Sequence, residues 1–308
     1  MSLALTGSLP ARRSARRPRR ILDRAAAVVL GVAVLLWTII PIYNILLIAL
    51  SEDGDEFTGT VFPSDPSFEG FRLIITGDFW FLKDFWPQLG NSSYIGFATM
   101  ALTVLIGSLA SFAMGRMRLR KAWLIGNFSL ITYAVPAAFL VIPFTRLMSI
   151  YGLTDNVWAV IAANVTFATP YAILIFHQYG KLIPLELDDA ARVDGATPLQ
   201  MYLRIYLPLM APALAAVATY ALLLAWNEYL YQYLLLSSPR SMTVAAGINQ
   251  FFDSDEAPWS YLMSVAIVFS LPPIAVYYAL RRYMVAGLTM GGVKGYGGGR
   301  RHACRLWA

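Results

Sequence analysis

The sequence predicts an all-α polytopic membrane protein with six transmembrane helices, and three observations carry that prediction. Hydrophobic residues make up 58% of the 308-residue chain and charged residues 14%, against roughly 25% charged residues in a soluble domain. The apolar residues gather into long runs at 25–50, 93–115, 123–145, 157–179, 210–236 and 260–280. Each run is close to the roughly 20 residues that a helix needs to cross a hydrocarbon core about 30 Å thick. The Lys and Arg residues fall almost entirely in alternate connecting segments. In lipid only a closed hydrogen-bond ladder satisfies the backbone, so such runs read as helices. Mean hydropathy is +0.57. The one cysteine, Cys304, leaves no internal disulfide or cysteine-based metal site.

The chain opens with a basic arm, 1–24, that includes Arg12–Arg20. Read beside a membrane span, the arm is topogenic and lipid-facing; a nucleic-acid-binding arm is the rival reading, and the distribution of the remaining charges opposes it. The first run is too long for a cleavable signal peptide and lacks a small-residue cleavage site, so it is expected to persist as a helix. With the N-terminus in the cytoplasm, segments 1–24, 116–122, 181–207 and 281–308 face inward and hold 20 of the 24 Lys and Arg residues. Positive residues are retained on the cytoplasmic side. Both termini are therefore expected in the cytoplasm, with the protein multi-pass in its membrane.

The outer segment 51–92 carries eight carboxylates together with Trp80 and Trp86. It reads either as an interfacial loop or as a docking surface for an external partner, and 237–259 has the same two readings. In the second, third and fourth runs no charge interrupts the apolar stretch; the fifth contains a single ionisable residue, Glu228. A carboxylate inside a span costs about 2.5–3.5 kcal/mol on insertion scales and so faces protein or water. Tyr220, Trp226, Asn227, Glu228 and Tyr231 combine hydrogen-bonding groups with flat aromatic faces and form the candidate solute pathway. Structural pairing of Glu228 with a partner subunit is the other reading. Asn164, Thr166 and Pro170, and Pro136 and Pro143, are kinks or pathway edges.

Between the fourth and fifth runs lies the connection 181–208, KLIPLELDDAARVDGATPLQMYLRIYLP. Pro184 suits a helix start, and Glu186, Asp188 and Asp189 place negative charge in the first turns, complementing the helix dipole. Gly195 stands where a left-handed residue would end that helix. Thr197-Pro198-Leu199-Gln200 has capping-box spacing with Pro at the first helical position, and the second helix is expected to run to about Tyr206 and end before Pro208. Two caps and a specified corner describe either a stiff docking lever or an amphipathic hairpin that merely joins two spans.

Asp189-Ala190-Ala191, three residues, Gly195, nine residues, then Ile205-x-Leu207-Pro208 resembles the EAA signature of ABC-importer membrane subunits. Asp189 stands where that signature usually has Glu. Asn91-Ser92-Ser93, with the small-residue run Gly107–Gly115 and basic Arg116–Lys121, resembles the start of this permease family's transmembrane core. Trp226-Asn227-Glu228-Tyr229 and Gly287–Gly295 are similar to the carbohydrate-uptake branch, and within it to the six-helix maltose-importer permease. The resemblance covers roughly 20–295 and leaves 296–308 unassigned. It implies a type I importer permease (MetI-like) fold over 25–295 and a sugar, mono- or oligosaccharide, as cargo.

The resemblance further implies four kinds of partner: a second homologous permease, two cytoplasmic ATPase subunits, an extracytoplasmic sugar-binding protein and the lipid bilayer. ATP and Mg would be bound by the ATPases, with no cofactor on this chain. ATPase coupling would fall to Glu186, Asp188, Asp189, Ala190, Ala191, Gly195, Ile205, Leu207 and Pro208. Gly287, Thr289, Gly291, Gly292 and Lys294 would form a tail reaching the ATPase interface.

The residues themselves carry no catalytic constellation. There is no Gly-x-x-x-x-Gly-Lys-Ser/Thr loop, so nucleotide must be handled by another chain. His177 and His302, the only histidines, stand apart from any cluster. A permease for polyamines, peptides or an anion would share the 181–208 signature. An ion-coupled secondary transporter would need more intramembrane carboxylates than Glu228 and an inverted repeat, and a membrane enzyme would need a polar cluster at membrane depth.

Overall fold

The computed structural model describes residues 16–51, 61–63, 65–117, 121–252 and 258–291, and among them every regular element is helical. It divides into two units, Met1–Gly70 with Pro258–Ser264, and Phe71–Ala257 with Val265–Ala308. Much of the basic arm and all of 296–308 lie outside the described residues, as do Gly292 and Lys294.

In the first unit α1 (Arg16–Ala49) is apolar on every side and exposed on every side over its membrane-length stretch. An all-round apolar helix is at home in hydrocarbon. Its C-terminal end meets the start of α14 (Trp259–Gly291): the Ser264 hydroxyl donates to the Ala49 carbonyl at 3.3 Å.

The second unit is built around α3 (Phe85–Arg116) and α6 (Val157–Gly180). The two run parallel: Ile95 clusters with Ala159, Val160 and Ile161, Gly107 meets Ala172, and Arg116 reaches the Gly180 carbonyl. Their close approach is written in small residues four apart, Thr99, Thr103, Gly107 and Ser111 on α3 and Asn164, Ala168 and Ala172 on α6, all buried. Small residues let helix backbones approach where lipid offers no hydrophobic drive. A Cβ on Gly107 would stand 2.9 Å from the Ala172 Cβ, so no side chain fits there without parting the helices.

Two apolar clusters fill this unit. One gathers Ile95, Val160, Ala163, Tyr231 and Leu235; the other, at the C-terminal ends of α3 and α6, gathers Phe112, Phe176, Ala191, Tyr202, Tyr206 and Met210.

Among the described residues, four helical stretches have the length and composition to cross a membrane: Asp23–Ala49, Phe85–Arg116, Val157–Gly180 and Trp259–Met284. A fifth arises if Pro198–Leu209 and Ala211–Asn227, bent by 80°, are one span. The two remaining differences from the sequence expectation have local causes. The run 123–145 is not one helix but α4 (Ala122–Ile131), a 3₁₀ turn at Thr132–Ala134 and α5 (Ala137–Ile150). Val135 is extended just before Pro136, as a residue preceding proline prefers. The run 210–236 is likewise broken: α10 (Ala211–Asn227) stops at Glu228, which is extended at φ −71°, ψ 123°, and α11 (Leu230–Leu235) follows. The second run is longer than read, since α3 begins eight residues before 93. Short helices α2 (Glu69–Thr76), α12 (Val244–Gly247) and α13 (Asn249–Phe252) occupy the segments read as outer loops.

Candidate coupling site and solute pathway

The connection between α6 and α10 is a hairpin with both ends specified by its own sequence. Its first limb, α7 (Glu186–Val193), carries Glu186, Asp188 and Asp189 in the first turn and Arg192 in the last, matching charge to the helix dipole at both ends. Pro184 lies just outside it. Gly195, at φ +78°, ends the limb. The Gly195 N–H donates to the Arg192 carbonyl and the Ala196 N–H to the Ala191 carbonyl at 2.9 Å, the paired bonds of a Schellman cap. Nothing lies within 4 Å of where a Gly195 side chain would begin. Glycine is needed for its backbone angle, not for room.

The second limb starts with α8 (Pro198–Met201), and its capping box is formed: the Thr197 hydroxyl accepts from the Gln200 N–H, and the Gln200 side chain accepts from the Thr197 N–H. The limb does not end before Pro208. A π turn at Tyr202–Tyr206 and α9 (Leu207–Leu209) carry it to Met210, where the chain bends into α10. Pro208 sits in the first turn of α9, where its missing N–H costs no bond. Phe112 of α3 meets Tyr202 and Tyr206 edge-on, at 5.3 and 5.2 Å between ring centres. Their hydroxyls pair with Ser108 (2.7 Å) and Ser111 (2.9 Å).

The candidate coupling residues fall on two sides of this hairpin. Glu186, Asp189, Ala190, Gly195 and Pro208 are exposed, together with Leu187, Leu199 and Val193, the last 88% exposed. Asp188 and Ala191 point inward, and Ile205 and Leu207 pack against the second apolar cluster.

Asp188 meets Arg116, a residue that sequence reading counted only as part of a basic segment. The Arg116 Nη1 donates to Asp188 Oδ2 at 2.5 Å, with the two side chains 3% and 5% exposed. Its Nη2 donates to the carbonyls of Gly180 (2.9 Å) and Ile183 (3.0 Å). Removing one partner of such a pair strands a buried charge, at a cost of about 3–5 kcal/mol. A cavity of about 290 Å³ opens beside this junction, lined among others by Ser111, Met114, Arg116, His177, Lys181 and Tyr206.

The candidate pathway residues are not gathered on one open surface. Trp226 is buried, stacked on Phe269 at 4.9 Å with its indole N–H on the Phe269 carbonyl. Tyr231 is buried between Phe144 and Phe167, and its hydroxyl donates to the Ala137 carbonyl at 2.8 Å. Asn227 is exposed and donates to the Leu223 carbonyl of its own helix. Tyr220 meets Tyr171 with ring centres 4.4 Å apart and planes tilted by 44°. Glu228 has a local occupation: its carboxylate accepts from the N–H groups of Tyr231 (2.8 Å) and Gln232 (3.1 Å). It thus caps α11, whose start the extended Glu228 backbone creates.

Asn164 is fully buried, and neither its carboxamide oxygen nor its nitrogen has a partner; the Thr99 and Thr103 hydroxyls are unpaired in the same way. Since Gly107 faces Ala172, eight residues back on both parallel helices puts Thr99 at the level of Asn164. Thr166 instead bonds its own helix at the Ala162 carbonyl. Gly287, Thr289 and Gly291 continue α14 as helix, a course that sequence reading did not anticipate.

Comparison with known proteins places this geometry. A family profile described as "Binding-protein-dependent transport system inner membrane component" matches residues 103–289. The chain belongs to that family. The match takes in the C-terminal part of α3, all of the hairpin and α10, so the junction of Arg116 with α7 lies within the shared part of these transport components. The chain is 33% identical to the trehalose transport system permease protein SugB of Mycobacterium tuberculosis over 87% of this chain and 96% of that one. It is 34% identical to the maltodextrin transport system permease protein MdxG of Bacillus subtilis over 67% and 74%. A solved bacterial ABC transporter involved in importing the acidic polysaccharide alginate superposes with a TM-score of 0.73 over 88% of this chain and 99% of that one, at 22% identity. It shares the fold. As an ABC-importer permease the chain is a membrane component of transport and not its ATPase.

Proposed function

We propose that this permease carries a sugar, mono- or oligosaccharide, into the cytoplasm, and that the outward side of its α7 hairpin is gripped by an ATPase subunit. The observation that carries the reading is the hairpin itself. Both limbs are capped, the corner is held by Gly195, and the inward side is bonded to α3 while apolar Leu187, Val193 and Leu199 are left outward. A stiff element with an uncovered apolar side can move as one body under a partner's grip. Relatives named for trehalose and maltodextrin transport support a carbohydrate cargo.

On this reading a second permease completes the pathway, two ATPases bind ATP and Mg on the cytoplasmic side, and an extracytoplasmic binding protein delivers the sugar. The distribution of Lys and Arg puts both termini, and the hairpin, in the cytoplasm. Gly287, Thr289, Gly291, Gly292 and Lys294 would lie towards the ATPases.

The test is ATP-driven uptake of labelled oligosaccharide by the complete complex in proteoliposomes. Two variants of one position sharpen it. Gly195→Asn keeps a residue that tolerates the left-handed backbone and is expected to retain uptake. Gly195→Trp meets no atom within 4 Å but strains the left-handed corner at φ +78° and projects from the gripped surface, so it is expected to insert in the membrane and to lose uptake. Equal uptake by Gly195→Trp and wild type would remove the hairpin from the coupling path; wild-type complex that takes up no sugar would remove the cargo.

A further inference from the structure

The ion pair at the root of the hairpin has a geometry that a simple surface helix does not need. Arg116 is the last residue of α3. From one guanidinium it reaches Asp188 on α7 and the carbonyls of Gly180 and Ile183 at the end of α6. Its own carbonyl accepts from Arg192 Nη2 at 3.1 Å, from the other end of α7. Three elements separated by up to 72 residues of sequence thus share one buried side chain, and α7 is held to α3 at both of its ends.

A buried ion pair is a poor device for stability, since desolvation consumes most of its attraction; its value lies in fixing one geometry. The planar guanidinium presents several donors in a rigid fork, which an ammonium cannot reproduce. The helix C-termini that converge here are rich in carbonyls and carry partial negative charge, so a cation is the group that can join them. The aromatic contacts of Tyr202 and Tyr206 with Phe112 hold the second limb to the same stretch of α3.

We infer that Arg116, through Asp188, is the positioning residue that passes displacement of α7 into α3 and α6. This rests on the coupling reading above. When α7 shifts, the fork must carry the ends of α3 and α6 with it or break the three hydrogen bonds of a buried guanidinium. Because α3 and α6 are parallel and tightly packed along Thr99–Ser111, displacement at their ends is transmitted along their length. The outward residues of the hairpin meet the motor; Arg116 is buried within the chain.

The experiment uses the complete transporter in proteoliposomes and reads sugar taken up per ATP hydrolysed, a ratio that a merely structural role does not move. Arg116→Lys keeps the charge and loses the fork. It is expected to assemble with the ATPases and hydrolyse ATP, with uptake per ATP down by roughly tenfold, the scale on which single links change coupling. Asp188→Asn is expected to behave alike, and Asp188→Glu to retain more of the ratio than Asp188→Asn. If Arg116→Lys fails to fold, the double variant Arg116→Met/Asp188→Leu removes both buried charges. It is expected to assemble and remain uncoupled. An unchanged ratio in Arg116→Lys or in the double variant overturns the inference, as does loss of ATPase copurification in a folded Arg116→Lys, which would make the role one of docking. Wild-type complex without ATP-driven uptake, or Gly195→Trp with normal uptake, would instead overturn the coupling reading.

Discussion

Asp155 shows how much one exposed side chain can organise. It takes the left-handed backbone at φ 55° in the turn before α6, and its N–H donates to the Leu235 carbonyl at 2.9 Å. Its carboxylate accepts from the Ser237 N–H (2.8 Å), the Ser238 N–H (3.1 Å) and the Ser241 hydroxyl. Partial burial alone would raise its pKa; the bonds from Ser241, Ser237 and Ser238 outweigh it and lower the value from the ordinary 3.8 to about 2. Because the folded value is the lower one, the clasp contributes in full above about pH 4 and is lost as pH falls towards 2. Thermal unfolding of the purified permease between pH 5 and pH 2.5 should therefore fall more steeply in wild type than in Asp155→Asn. Parallel curves would show that the clasp does not bear on stability.

Glu228 belongs to the same scale. As the cap of α11, Glu228→Ala should cost about 1 kcal/mol of stability, the usual worth of an N-terminal cap. Glu228→Gln keeps an oxygen acceptor and should cost less, with uptake retained. Uptake lost in a Glu228→Gln variant of normal stability would assign the charge to the solute path instead.

At the level of elements, the α3–α6 pair and the broken helices follow from different rules. The pair depends on the four-residue spacing of small residues, and its tightest point is Gly107 against Ala172 and Phe176. Gly107→Ala should destabilise by about 1–3 kcal/mol, the cost of overpacking, although alanine is the better helix former. Ala172→Gly on the facing helix should recover part of that loss. A double-variant cycle measured by thermal unfolding checks it, and simple additivity would mean that the two positions do not touch. The breaks are local: Pro136 forces Val135 into extended backbone, and Glu228 leaves the helix so that its carboxylate can serve the next one. Four of the six apolar runs lie in helices long and apolar enough to cross a membrane, while 123–145 and 210–236 are broken. Sequence reading took those two for single helices because hydropathy averages over a window and does not register one extended residue inside it.

Over the whole molecule, the all-helical class and the transport family were legible in advance, as was the capped hairpin. Composition decides what lies in lipid, and Gly195, Thr197 and Gln200 act on neighbours within four residues. The candidate pathway was less legible. Trp226, Tyr231 and Glu228 have the residue types that bind a polyol, yet two are core and the third is a cap; residue type does not say which way a side chain faces. The unpaired Asn164, Thr99 and Thr103 drew little or no notice as polar groups in apolar helices, and only the register of α3 on α6 sets Thr99 level with Asn164. Arg116 carries no signal of its own, being one more arginine at the end of a span. Local chemistry along the chain is enough to say which stretches are long and apolar and where the hairpin turns. That Asp188 turns inward to an arginine 72 residues away is a matter of packing alone, because the energy of a buried charge depends on what surrounds it and not on what precedes it.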